Sequence, residues 1–237
     1  MFCKTKAIIL GSIKYSDSSL ILHAYTEEYG RTAYVVNGIK SKRCAVKPAL
    51  LTPLSIVGLE TEHNPKRDIQ RIKESKIIFS SYNISADPVR NSVAHLLAEL
   101  LYHSLRETGK NTALFDFLVH SISLLENIED GIANFHLVFM LKLSAFLGFY
   151  PNYDNKAANT FFDQLNGCFL YDKPMHNHFL QIEESNLLKN LLINNYKTPF
   201  TRNQRNKMLE ELLNYYRLHL THFGEIRSVG VLRKLFA

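Results

Sequence analysis

Apolar residues in this chain change their period once, near residue 80. Before that point they alternate along short runs, as in Leu20, Leu22 and Ala24. After Tyr82 they recur every four residues, as in Val93, Leu97, Leu101 and Leu105. A period of two places side chains on one face of a strand, and a period near 3.6 on one face of a helix. The chain is therefore expected to be α+β in sequence order, with a β part followed by an α part.

The β part holds five strand-like runs: Lys6 to Ile13, Ser19 to Thr26, Arg31 to Asn37, Leu50 to Glu62 and Asp68 to Ser80. Polar turns separate them, and Gly30 supplies the residue able to take a positive φ before the third. Pro53 stands near the start of the fourth run, where a missing ladder donor is tolerated. Five short strands in about 80 residues, with a break after the third, fit a small Greek-key barrel of the OB type. Strand count alone fits an SH3-like barrel nearly as well.

The α part opens with Asp87-Pro88, a capping side chain followed by proline at the first helical position. That helix runs towards Gly109, a second covers Thr112 to Asn127, and a third, Gly131 to Gly148, is apolar on nearly all sides and belongs at the centre of a bundle. Residues 150–182 break the pattern with Pro151, Gly167 and Pro174 and read as an irregular excursion. Helices resume at Glu184 to Asn194, from the Thr201 cap to about Phe223, and from the Ser228 cap to Phe236. The expected domains are thus 1–80, a basic barrel, and 81–237, a helical body carrying the excursion.

Charge divides at the same place. Residues 1 to 80 carry 13 Lys and Arg against 7 Asp and Glu, while residues 81 to 237 carry 15 of each. The net charge of +6 therefore sits on the β part, which suggests a phosphate-bearing partner. Lys40, Lys42 and Arg43, with Lys47 beyond them, form one basic group after the third strand. Lys66, Arg67, Arg71 and Lys73 form another around the fifth, and Lys14 and Arg31 complete the candidate nucleic-acid contacts. Tyr15, Tyr25, Tyr29 and Tyr34 interleave with them as stacking surfaces for unpaired bases. The alternative is that these are solvated loop lysines and half-buried barrel tyrosines, a reading weaker for the set because this part alone lacks compensating acids. In the helical part Arg202, Arg205 and Lys207 open a helix against its dipole, so a ligand with carboxylates or phosphates would relieve them.

Enzymatic signatures are missing from the sequence. The glycines form neither phosphate-cradling pattern, and His-Glu-x-x-His and Gly-x-Ser-x-Gly are absent. Asp17, Glu27, Glu28 and Asp68 lie beside the basic groups as a magnesium nuclease requires, but they fit turn and solvent-face roles unaided. No catalytic residue, cofactor or metal is assigned: Cys168, His176 and His178 cluster, yet no Cys-x-x-Cys exists. Three widely spaced cysteines, Cys3, Cys44 and Cys168, suggest free thiols in a reducing, cytoplasmic setting. No secretory signal is recognisable, and the longest apolar stretch, Phe135 to Phe149, is too short and too interrupted for a membrane span.

Three segments in order resemble the RecO family of bacterial recombination mediators. They are Thr5 to Leu10 with Tyr15 to Leu20, Tyr25-Thr26 and Glu28-Tyr29-Gly30; then Asn37-Gly38-Ile39-Lys40-Ser41-Lys42; then Leu147-Gly148-Phe149-Tyr150-Pro151 with Tyr216 to Leu220 and Ile226 to Leu232. The resemblance implies an N-terminal OB fold, a helical C-terminal domain, and binding and annealing of single-stranded DNA, with double-stranded DNA as a further ligand. It implies RecR as partner, in some lineages RecF, and the loading of RecA onto DNA coated with single-strand binding protein, whose acidic tail docks on the helical domain. It places the chain in the bacterial cytoplasm at the nucleoid. Many relatives carry a four-cysteine zinc knuckle in the excursion; here only Cys168 remains, so the region is expected to be metal-free and held by Phe161, Phe162, Phe169 and Tyr171.

Overall fold

The computed structural model describes residues 2–39, 46, 52–153 and 160–235. By compactness the chain separates into two units, Met1–Asn127 with Ile226–Val229, and Ile128–Glu225 with Gly230–Ala237. The change from strand to helix falls at about residue 80. The first compact unit extends past it because α2 (Pro88–Ser104) packs against β1 (Phe2–Lys14).

β1 to β5, namely Phe2–Lys14, Ser19–Thr26, Gly30–Asn37, Ile56–Glu62 and Ile69–Phe79, close a barrel in the order β1-β2-β3-β5-β4. β1 pairs antiparallel with both β2 and β4, and β3 meets β5 in parallel at Ala33↔Ile69 and Val35↔Arg71. That connectivity is of the OB type and decides what strand count left open. The alternation seen in the sequence places Ala7, Ile9, Leu22, Tyr34, Val57 and Leu59 in the barrel core. The fourth strand is shorter than its apolar run, because Leu54 takes φ 62° and its N–H bonds Ile9 O at 2.8 Å, so residues 52–55 form a turn.

α1 (Tyr82–Ala86) was not expected, since no side chain within it caps it. Its amides are met from outside: the Glu126 carboxylate on α3 (Thr112–Asn127) accepts from Asn83 N at 2.7 Å and Ile84 N at 2.9 Å. α2 starts as expected, with Asp87 Oδ1 accepting from Val89 N at 2.8 Å and Pro88 in its first turn. It ends at Ser104, short of Gly109.

In the second unit α4 (Phe135–Phe146) is buried on nearly all sides, as its composition requires. α5 (Ile182–Asn194) and α6 (Arg202–His219) pack on it, and Tyr216 donates its hydroxyl to Met140 O at 2.7 Å. α6 stops at His219 rather than Phe223, with the Leu220 amide closing on Tyr216 O and His222 at φ 62° beyond. α7 covers Val229–Leu235; the expected end at Phe236 lies outside the described residues.

The excursion is more ordered than its punctuation suggested: β6 (Phe161–Asp163) sits between β7 (Cys168–Leu170) and β8 (Phe179–Leu180). Phe161 packs edge-on to Phe179, and Phe162 packs against Phe169 and Tyr215. Tyr171, expected among the residues that hold the region, is 70% exposed and instead points to solvent. No described helix is long and apolar enough to cross a membrane.

Candidate nucleic-acid interface

The barrel presents its basic residues at two ends. β1 runs antiparallel to β4 with Phe2 opposite Glu62, whereas its far end places Lys14 opposite Leu20. At that far end the β1–β2 turn carries Lys14, paired in the open with Asp17 at 3.3 Å, and Tyr15, which is 67% exposed. The Ile39 amide donates to Ser18 O at 3.1 Å, so the chain leaves β3 beside this turn on its way to the first basic group. Lys40, Lys42, Arg43 and Lys47 themselves lie outside the described residues.

At the near end the β4–β5 loop carries Lys66 and Arg67. A buried glutamine shapes it: Gln70, 3% exposed, accepts from Asn64 N at 2.8 Å and donates to Asn64 O at 3.0 Å and to Arg67 O. The loop backbone is thereby satisfied from below while Lys66 and Arg67 stay exposed. Arg71 follows on β5, exposed opposite Glu62, and Lys73 pairs with Glu60 at 3.2 Å. The β4–β5 register shifts between Glu60↔Glu74 and Thr61↔Ile72, so the simple alternation that put Arg71 and Lys73 on one face is interrupted between them.

Arg31 serves the fold. Its guanidinium lies 4.2 Å over the Tyr102 ring and donates to Tyr102 O at 3.0 Å, and burial lowers its pKa. Three of the four tyrosines proposed for base stacking are likewise engaged. Tyr34 fills the barrel core, Tyr25 is 2% exposed and stacks on Phe115, and Tyr29 stacks on His63 at 3.8 Å. Only Tyr15 of the four stands open.

Sequence reading passed over Lys4, Lys6 and Lys76. They border a groove of about 470 Å³ across β1, β4 and β5, together with Glu27, Glu60 and Glu74. Gly58 opens its floor, for a Cβ there would stand 3.2 Å from Lys76 Cε. Lys6 is paired with Glu27 at 3.1 Å, so the groove is mixed in charge. Period-two spacing of Lys4 and Lys6 was the signal available for them.

At the start of α6 the conflict between cations and helix dipole is answered internally. Thr201 and Gln204 close a capping box, Arg202 donates to Arg233 O at 3.1 Å, and Arg205 donates to Asn134 Oδ1 at 3.2 Å and Phe200 O at 3.1 Å. Lys207 lies 3.2 Å from Glu211 and 4.0 Å from Glu184.

Comparison with known proteins accounts for both halves of the chain. Residues 1–81 match the family described as Recombination protein O N terminal, and residues 85–225 match Recombination protein O C terminal. The chain is 40% identical to the DNA repair protein RecO of Phocaeicola vulgatus over 241 residues, 39% to that of Azobacteroides pseudotrichonymphae and 35% to that of Flavobacterium psychrophilum, each comparison covering all of both chains. The chain belongs to the RecO family. The two RecO segments meet at the strand-to-helix change.

The zinc knuckle that the RecO resemblance brings to the excursion does not fit these residues. Cys168 is the single cysteine there, and among the described residues no group of three or more His, Cys, Asp or Glu could hold a metal ion. Asp163 is instead spent within its own loop: it accepts from Leu165 N at 2.8 Å, Asn166 N at 3.1 Å and Asn166 Nδ2 at 2.7 Å, with His176 Nε2 at 3.3 Å.

Proposed function

We propose that this RecO-family chain is a non-enzymatic mediator of DNA repair and recombination that binds single- and double-stranded DNA on its barrel and anneals complementary strands. The observation that carries the reading is the coincidence of family and charge. Full-length relatives are named DNA repair protein RecO, and the segment matching the family's N-terminal part is the OB-type barrel holding the chain's entire positive surplus. Neutralising phosphates lowers the repulsion between two strands, so that complementary bases meet. The exposed cations Lys14, Lys66, Arg67 and Arg71, with Lys73 and the group Lys40, Lys42, Arg43 and Lys47, would do this, and Tyr15 would stack a base. Arg31 would hold the fold beneath them.

The helical domain, from about residue 81, would dock proteins: RecR, the tail of the single-strand binding protein and, where the lineage uses it, RecF, so that RecA is loaded. Arg202 and Lys207 are the cations at the start of α6 that an acidic tail would meet, with Arg205 committed to Asn134 and Phe200. The protein would work in the cytoplasm at the nucleoid. The other reading open to a basic OB-type barrel, an RNA-binding adaptor in translation or RNA processing, draws no support from these relatives.

Fluorescence anisotropy of a labelled, unstructured DNA strand across a salt series tests this. Four to six phosphate contacts give a log-log salt slope of roughly −3 to −4 on a single strand. Changing Lys40, Lys42 and Arg43 together to Glu should abolish binding at moderate salt. Absence of binding by the wild type at low salt would sink the reading.

A further inference from the structure

The outward face of β2 and β3 meets the end of α2 in a cluster that the basic groups above do not include. Its centre is the Tyr102 ring. Arg31 lies over the ring at 4.2 Å, His23 meets it edge-on at 5.0 Å, and its chain neighbour His103 does so at 5.2 Å. Arg106, exposed just beyond the helix, acts on both Arg31 and His103.

Two guanidinium groups and two imidazoles thus share one small region. The charged groups facing His103 are Glu99, Arg106 and Arg31, and the one facing His23 is Arg31. Glu99 is already engaged: its carboxylate accepts from Arg227 N and Ser228 N at 2.9 Å each and from the Ser228 hydroxyl at 2.6 Å. Burial would raise the pKa of Glu99, but those bonds outweigh it and the group stays ionised below the usual range. Burial and the neighbouring arginines hold both histidines below their ordinary pKa, hence neutral at pH 7. His23 Nε2 is buried and has no hydrogen-bond partner among the described residues.

An anion opposes the arginines' share of this balance. A phosphodiester set against the cluster would screen Arg31 and Arg106 from the imidazoles and favour their charged forms. We propose that His23, His103 and Arg106 form a proton-linked phosphate site on the β2–β3 face, at which each imidazole takes up one proton from solvent as a DNA strand binds. The inference rests on the DNA-binding reading of the barrel and adds a direction to it: affinity rises as pH falls through the pKa of the occupied site.

The test is anisotropy of a rhodamine-labelled oligothymidylate with the full chain at fixed ionic strength, at pH 7.5 and pH 6.0. Wild type should bind more tightly at pH 6.0, by up to about 30-fold for each proton taken up. The double variant His23→Gln, His103→Gln should lose the tightening and bind with the same affinity at the two pH values. Arg106→Gln, an exposed change that leaves the core intact, should weaken binding and reduce the magnitude of the salt slope by about 0.7. A flat wild-type profile, tightening that survives in the double variant, or an unchanged slope in Arg106→Gln would each overturn the proposal while leaving DNA binding by the barrel in place. No wild-type binding at either pH would remove the DNA-binding reading itself, and this site with it.

Discussion

Glu126 and His136 show how much a single polar side chain carries here. In sequence Glu126 looks like any acid near a helix end, yet it is 7% exposed and its two carboxylate oxygens cap the amides of α1. Glu126→Ala would leave both amides without a partner and should cost roughly 2 to 3 kcal/mol, read from chemical denaturation. His136 lies within α4, and burial, followed by Arg205, lowers its pKa to about 3. The folded protein therefore keeps it neutral at pH values where the unfolded chain, with a pKa near 6.5, takes up a proton. Its contribution is complete above pH 6.5 and shrinks as pH falls towards 3, by about 1.4 kcal/mol per unit. Melting temperature against pH should decline less steeply below pH 6.5 in His136→Gln than in wild type.

Turns and bulges decide how the strands meet. Gly30, flagged in sequence only as a turn glycine, has φ 60° and sits so close to the loop after α2 that a Cβ would stand 2.7 Å from both Glu107 O and Gly109 O. Gly30→Ala should therefore destabilise the barrel by about 2 kcal/mol or more, and hydrogen exchange should accelerate in β2 and β3 before α4. The ends of β2 and the beginnings of α2 and α3 were legible because alternation and caps are local signals. The register shift at Lys73, the turn at Leu54 and the existence of α1 were not, since each depends on a partner far along the chain.

Charge acts over the barrel as a whole. Thirteen cations against 7 acids in the first 80 residues give this segment the chain's positive surplus, and the family match places it in the N-terminal part of a RecO chain. Lys66 and Arg67, held out by the Gln70 clamp, are exposed to a backbone phosphate. Changing both to Gln should reduce the magnitude of the single-strand salt slope by about 1.4 while leaving the melting temperature unchanged. An unaltered slope in anisotropy titrations would move the contact to the other end of the barrel.

The order of β before α, the placement of the barrel core, the central helix and the basic segment follow from periodicity and composition, which are properties of neighbours in the chain. Which cations remain available does not. Arg31 and Lys14 read alike in sequence, but one is half-buried against Tyr102, 71 residues away, and the other is exposed beside Asp17. Tyr25 and Tyr15 divide in the same way, one under Phe115 and the other in solvent. Burial by distant segments and satisfaction of buried polar groups are set only when the chain closes on itself, so they decided the candidate site where local pattern could only nominate it.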